Sequence, residues 1–272
     1  YGAVLAMMLP PTIALLSKKD RPTLIRLLLG IATVIIAIGL ILSFTRAAWV
    51  SLAGVGILFI AMRIGIKLKT LASIGAVVLV VLFVNFDTLM IDLQRNKQDS
   101  SDNLTQHVKS ISNISSDDSN LERLNRWSCA VSLFQERPIT GWGPGTYQFV
   151  YAPFQKSDLK TTISTNNADG GNAHSEYLGP LAEQGVMGGV LVLLLIWWAS
   201  IVGFRLWNNL KNKEERNLAV SIYLGLMTYF IHGVLNNYLD TDKASAPFWG
   251  FLALLVVLDI ESRGKALPKA TT

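Results

Sequence analysis

The stretch QGVMGGVLVLLLIWWASIVGF, residues 184–204, decides the fold class because it runs for 21 residues without a charge. About 20 apolar residues in a helix span the roughly 30 Å hydrocarbon layer of a bilayer. Comparable uncharged runs occupy residues 27–44, 47–62, 70–86, 217–239 and 244–258. Another apolar stretch begins at Tyr1 and is broken by Pro10 and Pro11. The sequence therefore predicts an all-α, polytopic membrane protein with about seven transmembrane helices.

The composition excludes a water-soluble globular protein. Hydrophobic residues make up 51% of the 272 positions and charged residues 16%, whereas about 25% charged is usual in soluble chains. The chain begins in an apolar stretch, with no initiator Met and no basic segment before it. We therefore expect a C-terminal part of a longer protein. Cys129 is the single cysteine, which excludes an internal disulfide, and we expect it to be buried on a helix.

The distribution of Lys and Arg predicts the orientation. If every apolar run spans the membrane, 14 of the 24 basic residues fall on one side. Of the other 10, eight lie in one long loop, which crosses the membrane largely regardless of charge. The basic side, including the C-terminus, is therefore expected to be cytoplasmic, and the long loop extracytoplasmic. The net charge of +5 does not indicate nucleic acid, because the basic residues form no continuous face.

Three parts follow along the chain. Residues 1–90 carry four predicted transmembrane helices, residues 91–183 form the large loop, and residues 184–272 carry three more helices and a cytoplasmic tail. In the loop, residues 98–120 are rich in Asp, Ser and Asn, so we expect mobility there and a solvated His107. Apolar residues then recur at spacings of three and four up to Pro138, which predicts a helix on the membrane or against the bundle: Leu121, Leu124, Trp127, Val131 and Phe134.

Two further loop features follow this helix. The segment Gly141-Trp142-Gly143-Pro144-Gly145 predicts a tight turn, which either approaches a ligand closely or is purely structural. A second helix is expected to begin near Ala173, capped by Asp169 or Asn172 and bent at Pro180. It would place His174 on one face with Tyr177 and Leu178 at the mouth of the bundle.

These elements resemble the O-antigen ligase and polysaccharide polymerase superfamily of bacterial membrane proteins. In the family pattern, His is followed by Asn, Ser or Gln, nine residues, Gly, two residues, and then Gly, Thr or Tyr. His174-Ser175, Gly185 and Gly188 match that pattern. Three other elements look similar to the family's Arg, its Trp and its Pro-leading-to-Gly-x-Gly block: Arg123, Trp127 and Pro138 to Gly145. Ser43-Phe44-Thr45-Arg46 is similar to a short family element, with Thr45 replacing its second Ser.

The resemblance covers about residues 40–195 and implies a GT-C-like fold. It also implies an enzyme of polysaccharide or lipopolysaccharide biosynthesis in the bacterial inner membrane. Such an enzyme moves an undecaprenyl-diphosphate-linked glycan onto a lipid, glycan or protein acceptor hydroxyl at the periplasmic face. Ligase and polymerase are not distinguished, and no nucleic acid partner is expected.

Glycan transfer needs a base for the acceptor hydroxyl and cations for the departing diphosphate. His174 is the predicted base because an imidazole can be neutral at working pH. Arg46 and Arg123 are the predicted diphosphate ligands, with Arg126 in reserve, since a guanidinium binds phosphate through two hydrogen bonds. The alternatives are a structural His174, snorkelling of Arg46 to lipid headgroups, and a solvated helix face for Arg123.

A second set of residues is predicted to line a cavity: Trp142, Gly143, Gly145, Glu176 and His232. His232 belongs to this set because polar residues inside predicted spans usually face a cavity or another helix. No His and carboxylate cluster has metal-ligand spacing, so the reaction is predicted to need neither metal nor cofactor. A polysaccharide transporter or flippase is the rival function, although the chain has no internal repeat and the large loop favours an enzyme.

Overall fold

The computed structural model describes residues 1–18, 20–85, 118–161, 164–165 and 171–266. Its regular elements there are all helical, which confirms the all-α prediction. They are α1 (Gly2–Leu16), α2 (Thr23–Leu42), α3 (Arg46–Arg63), α4 (Leu68–Val84), α5 (Asp118–Glu136), α6 (Tyr147–Val150), a 3-10 turn (Ala152–Phe154), α7 (Leu178–Asn209), α8 (Lys213–His232) and α9 (Asp242–Ala266). Most of the Asp, Ser and Asn-rich stretch, with His107, lies outside the described residues.

The chain forms two compact units. The first comprises Tyr1–Leu68, Leu194–His232 and Tyr238–Thr272, and the second comprises Lys69–Leu193 and Gly233–Asn237. The second unit therefore holds α4, the loop elements and the first half of α7. The predicted division at residues 90 and 183 follows membrane topology and stays a prediction.

Apolar packing holds the first unit together. Ala6 of α1, Leu40 of α2 and Ala48 of α3 form one buried cluster. Helix α8 packs against α1, α3 and α9, and most of its residues after Asn217 are buried. This burial explains why α8 is stable although its first turn carries only charged residues, Lys213 to Arg216.

Among the residues that the structure describes, four helices are long and apolar enough to cross a membrane: α2, α3, α7 and the Asp242–Gly264 part of α9. Only 6% of the most apolar 18-residue stretch of α2 is buried. Val34 and Ile35 on this helix are more than half exposed. Such a surface is stable in lipid and not in water. The protein is therefore a membrane protein. Helix α1 and the apolar part of α4 are shorter than a span, so the count of seven spans and the GT-C-like fold stay proposals.

An ion-pair cluster ties α7 to α9 in the first unit. Nη1 of Arg205 lies 3.0 and 2.9 Å from the two carboxylate oxygens of Asp259. Arg263, one turn further along α9, donates to the same carboxylate at 2.5 Å. The Asp259 side chain is only 8% exposed, so its charge depends on these two cations.

Replacing Asp259 with Asn should lower the free energy of unfolding by about 1 to 2 kcal/mol, because the charge-assisted hydrogen bonds from Arg205 and Arg263 are weakened while both arginines keep access to solvent. Thermal unfolding of the purified protein in detergent measures this change. Glu261→Gln, an exposed charge removal on the same helix, is the matched control and should unfold like the wild type. Equal melting of both variants would contradict the assigned role of Asp259.

Candidate active site

Helix α5 forms one wall of the candidate site. It ends at Glu136 before Pro138, as the periodicity predicts. Its fully buried face centres on Cys129 and Leu133, which pack with Tyr147 and Tyr151. This face packs on the loop's own segments, and the expectation that α5 lies on the membrane or against the bundle stays a prediction. The prediction of a buried helical Cys129 is confirmed, and burial raises the pKa of its thiol to about 12.

The segment that carries His174 is not helical. The expected helix start at Ala173 is wrong, since α7 begins at Leu178 and His174 has φ +48°. The Oγ of Ser175 accepts hydrogen bonds from the amides of Tyr177 and Leu178, at 3.3 and 3.4 Å, and so caps α7. His174, Tyr177 and Leu178 therefore do not share a helix face.

Two further predictions for the helix that was expected to begin near Ala173 are wrong. Asn172 accepts a hydrogen bond from the His174 amide at 3.1 Å, so it closes a turn and does not cap the helix. The expected bend at Pro180 is absent, because proline in a first turn removes no needed donor. The break lies instead at Gly185, with φ 66° and ψ −156°. Asp169 lies outside the described residues.

The glycine-rich turn docks into this break. The amide of Gly143 donates to the carbonyl of Glu183 at 2.7 Å, and the amide of Val186 donates to the carbonyl of Pro138 at 2.8 Å. A side-chain carbon at Gly185 would lie 2.6 Å from the Pro138 oxygen, so the close approach requires glycine there. The turn and the break thus form one interlocked unit.

The Glu183 side chain strengthens the same contact. Its two carboxylate oxygens accept hydrogen bonds from the amides of Gly145 and Tyr147, both at 2.9 Å. Bonds between backbone amides and a carboxylate are roughly twice as strong as neutral ones. These two amides therefore bind a carboxylate of the protein itself.

Trp142 likewise has structural partners. Its indole donates to the carbonyl of Leu133 at 3.0 Å, and the guanidinium of Arg137 lies 4.0 Å from the ring centroid. These contacts favour the structural alternative for the turn. The prediction that Trp142, Gly143 and Gly145 line a cavity stays a prediction.

His174 lies beside the basic side chains of α5. Burial and, to a smaller extent, the positive charges of Arg123 and Arg126 lower the pKa of its imidazole to about 4, whereas Glu122 acts in the opposite direction. The Trp127 indole donates to the His174 carbonyl at 3.3 Å. His174 is thus a neutral imidazole at physiological pH and able to accept a proton.

The two predicted arginines of α5 differ in environment. Arg123 is half-buried. Arg126 is buried, and its Nε donates to Oε1 of Glu122 at 2.6 Å. Both belong to the second unit with His174 and Glu176, whose amide donates to the carbonyl of Gly233 at 2.8 Å.

Arg46 and His232 belong to the first unit. Arg46 is exposed and begins α3, directly after a turn in which Ser43 donates to the carbonyl of Leu40 at 2.7 Å. His232 ends α8 and is buried, with its ring centroid 5.8 Å from that of Tyr238. The structure therefore brings Arg123, Arg126 and His174 into one unit, and the predicted roles of all these residues stay proposals.

Sequence reasoning assigned no role to two acidic residues of this region. Glu122 precedes Arg126 by one helical turn, a spacing that a search for ion pairs at i and i+4 could have found. Glu183 bonds amides that lie 38 and 36 residues away, and no local signal predicts that contact. In the described part of the chain, no three His, Cys, Asp or Glu side chains are grouped to hold a metal; metal independence stays a prediction.

These features define a polytopic membrane protein whose folded loop presents a neutral histidine beside arginine side chains. The sequence profile of the O-antigen ligase family matches residues 31–193, and the chain belongs to that family. A search of curated proteins found no match. Membership makes the protein a membrane glycan transferase of the O-antigen ligase or polymerase type, active in polysaccharide biosynthesis.

Replacing Gly185 with Ala should lower the free energy of unfolding by roughly 2 to 4 kcal/mol, because the new methyl group meets the Pro138 carbonyl at a strained φ. Thermal unfolding in detergent measures the change. Gly56→Ala, at a helical position with no atom within 4 Å of the added carbon, is the control and should not destabilise. A Gly185→Ala protein as stable as Gly56→Ala would contradict the interlocked arrangement.

Proposed function

We propose that the protein transfers a glycan from undecaprenyl diphosphate to an acceptor hydroxyl at the periplasmic face of the bacterial inner membrane. The observation that carries this proposal is a neutral His174 in a loop with Arg123, in a chain of the O-antigen ligase family. The donor is a lipid-linked oligosaccharide or polysaccharide. The acceptor is a lipid, glycan or protein.

In the proposed reaction, His174 removes the proton from the acceptor hydroxyl. The acceptor oxygen then forms a bond to the anomeric carbon of the donor sugar, while the bond from that carbon to the diphosphate oxygen breaks. Undecaprenyl diphosphate leaves with the bonding electron pair, and arginine side chains stabilise its charge. The imidazolium formed by His174 returns its proton to solvent.

The surroundings of His174 support a chemical role for its side chain. Its φ of +48° lies in the left-handed region, which histidine adopts more readily than most residues other than glycine, so the backbone is compatible with an imidazole there. The neighbouring motif residues have structural explanations: Ser175 caps α7 and Gly185 permits the break. A neutral imidazole beside two cations is instead suited to proton transfer.

Arg123 and Arg46 are the proposed diphosphate ligands. Arg123 lies on α5 in the unit that holds His174. Arg46 is exposed at the N-terminus of α3, where a cation is unfavourable for the helix dipole and an anion is favourable. A bound diphosphate would offset that cost for Arg46. Arg126 is a weaker candidate because it is buried and already paired.

Replacing His174 with Ala in the full-length protein should reduce glycan transfer by about a hundred- to ten-thousand-fold, the usual contribution of a positioned base. The gene is deleted in its host and restored as wild type or variant at matched membrane levels. Lipid-linked donor and finished surface glycan are then separated. The expected result is donor accumulation at the periplasmic face with loss of the finished product.

His107→Ala is the control, because the sequence predicts a solvated histidine in the polar stretch. Normal product from His174→Ala would make His174 structural and the base another residue. Donor accumulation at the cytoplasmic face in the deletion strain would indicate a transporter instead. The product also distinguishes the two enzyme types, since a ligase decorates a separate acceptor and a polymerase lengthens the lipid-linked chain.

The pH dependence of transfer gives a second test. The base acts only when neutral, and the pKa of His174 lies at about 4. Turnover by the purified protein in lipid nanodiscs should therefore be constant from about pH 8 down to pH 5 and should fall only as the pH passes through the pKa. A fall centred near pH 6.5, the ordinary imidazole value, would contradict the buried position beside two arginines.

A further inference from the structure

We propose that the buried ion pair of Glu122 and Arg126 positions the His174 segment, and that Arg126 is not a ligand of the donor diphosphate. This inference rests on the proposed function, in which His174 is the base. It assigns different roles to two arginines that lie three residues apart on α5. Arg123 remains the proposed diphosphate ligand of this helix.

The ion pair is fully enclosed by protein. The side chains of Arg126 and Glu122 are 7% and 5% exposed. The second oxygen of Glu122 accepts a hydrogen bond from the hydroxyl of Ser164, which lies 42 residues further along the chain. The guanidinium carbon of Arg126 lies 4.3 Å from the centroid of the Tyr151 ring, in cation–π contact. The pair therefore connects α5 to two distant parts of the loop.

The chain that leads to His174 rests directly on this arginine. A side-chain carbon at Gly171 would lie 2.7 Å from the guanidinium carbon of Arg126 and 2.7 Å from Cε1 of Tyr151. Only glycine allows the backbone to come so near. Gly171 precedes His174 by three residues, so the position of the Arg126 guanidinium limits where the imidazole can lie.

Adjacent α5 contacts fix the same segment from a second side. Trp127 follows Arg126 and donates to the His174 carbonyl at 3.3 Å. The Tyr147 hydroxyl donates to the Arg126 carbonyl at 2.7 Å, which also holds the helix at this turn. Segment 171–174 is thus held at its beginning by Arg126 and at its end by Trp127.

These contacts oppose a role for Arg126 in donor binding. Its Nη1 is buried against Gly171 and has no hydrogen-bond partner among the residues that the structure describes. To reach that atom, a phosphate oxygen would have to displace Gly171 and with it the His174 segment. A paired and desolvated guanidinium also loses its partner if it turns toward another anion.

Turnover and donor KM distinguish a positioning residue from a diphosphate ligand. The full-length protein is assayed in lipid nanodiscs with the undecaprenyl-diphosphate-linked glycan isolated from host membranes. Arg126→Gln and Glu122→Gln should each lower turnover at least about tenfold and change donor KM less than about twofold, because a lone buried charge displaces the segment. Arg123→Gln, the matched control, should instead raise donor KM at least about tenfold.

The double variant Glu122→Gln with Arg126→Gln provides the decisive comparison, since it removes both charges and leaves two amides that can bond each other. Its turnover should exceed that of the worse single variant, because a buried pair replaced as a unit costs less than one partner removed, although the packing of the guanidinium against Gly171 and Tyr151 stays lost. Adding Glu122→Gln to Arg123→Gln should not lower the raised donor KM of the Arg123→Gln protein. If both single variants fail to fold, the turnover and donor KM of the double variant still test the proposal.

The acid limb of the pH profile gives a readout that a purely structural role would not move. Among the described residues, the charged groups that act on His174 are Arg123, Arg126 and Glu122, all on α5. Loss of the Arg126 charge should move the acid limb to higher pH, and loss of the Glu122 charge to lower pH.

Two results would overturn the inference. One is a donor KM that rises as much in Arg126→Gln as in Arg123→Gln and stays equally high when Glu122→Gln is added to Arg126→Gln. That result would make Arg126 a diphosphate ligand. The other is a double variant as impaired as the worse single variant. Full activity of His174→Ala in the same assay would instead remove the proposed function, so the two failures are separable.

Discussion

The left-handed break at Gly185 is the constraint on which the candidate active site depends. Helix α7 cannot continue through a residue with φ 66°, and the opening accepts the Pro138 carbonyl on the amide of Val186. The Glu183 carboxylate then fixes the amides that follow the glycine turn. These contacts hold the segment after α5 against the first turns of α7. The His174 segment, which leads into α7, is positioned within this frame.

Of the described residues, the charged side chains that act on His174 are two arginines and one glutamate of α5. Burial beside Arg123 and Arg126 keeps the pKa of His174 low, so the imidazole stays neutral in a basic environment that suits a diphosphate. Glu122 pairs with Arg126, the buried member of the two. Arg126 is therefore committed to contacts within the protein, and the half-buried Arg123 is the proposed diphosphate ligand next to a neutral imidazole.

The sequence was sufficient for the features that local rules control. Apolar runs predicted the helices of the membrane part, and Pro138 predicted the end of α5. The beginning of α7 could not be predicted, because Asn172 and Ser175 both suit a helix cap and only tertiary contacts select Ser175. Gly185 belongs to a motif that is visible in the sequence, but its break depends on Pro138, 47 positions away. Local periodicity contains no information about such a partner.

Direct mapping of the donor on the protein tests the central claim, which is that the diphosphate binds beside His174 and α5. A lipid-linked donor with a photoreactive group next to the diphosphate is irradiated with the full-length protein in membranes, and labelled peptides are identified by mass spectrometry. The account predicts labelling of the peptides that contain Arg123 and His174, with competition by unlabelled donor. Competable labelling that leaves both peptides unmodified would contradict it.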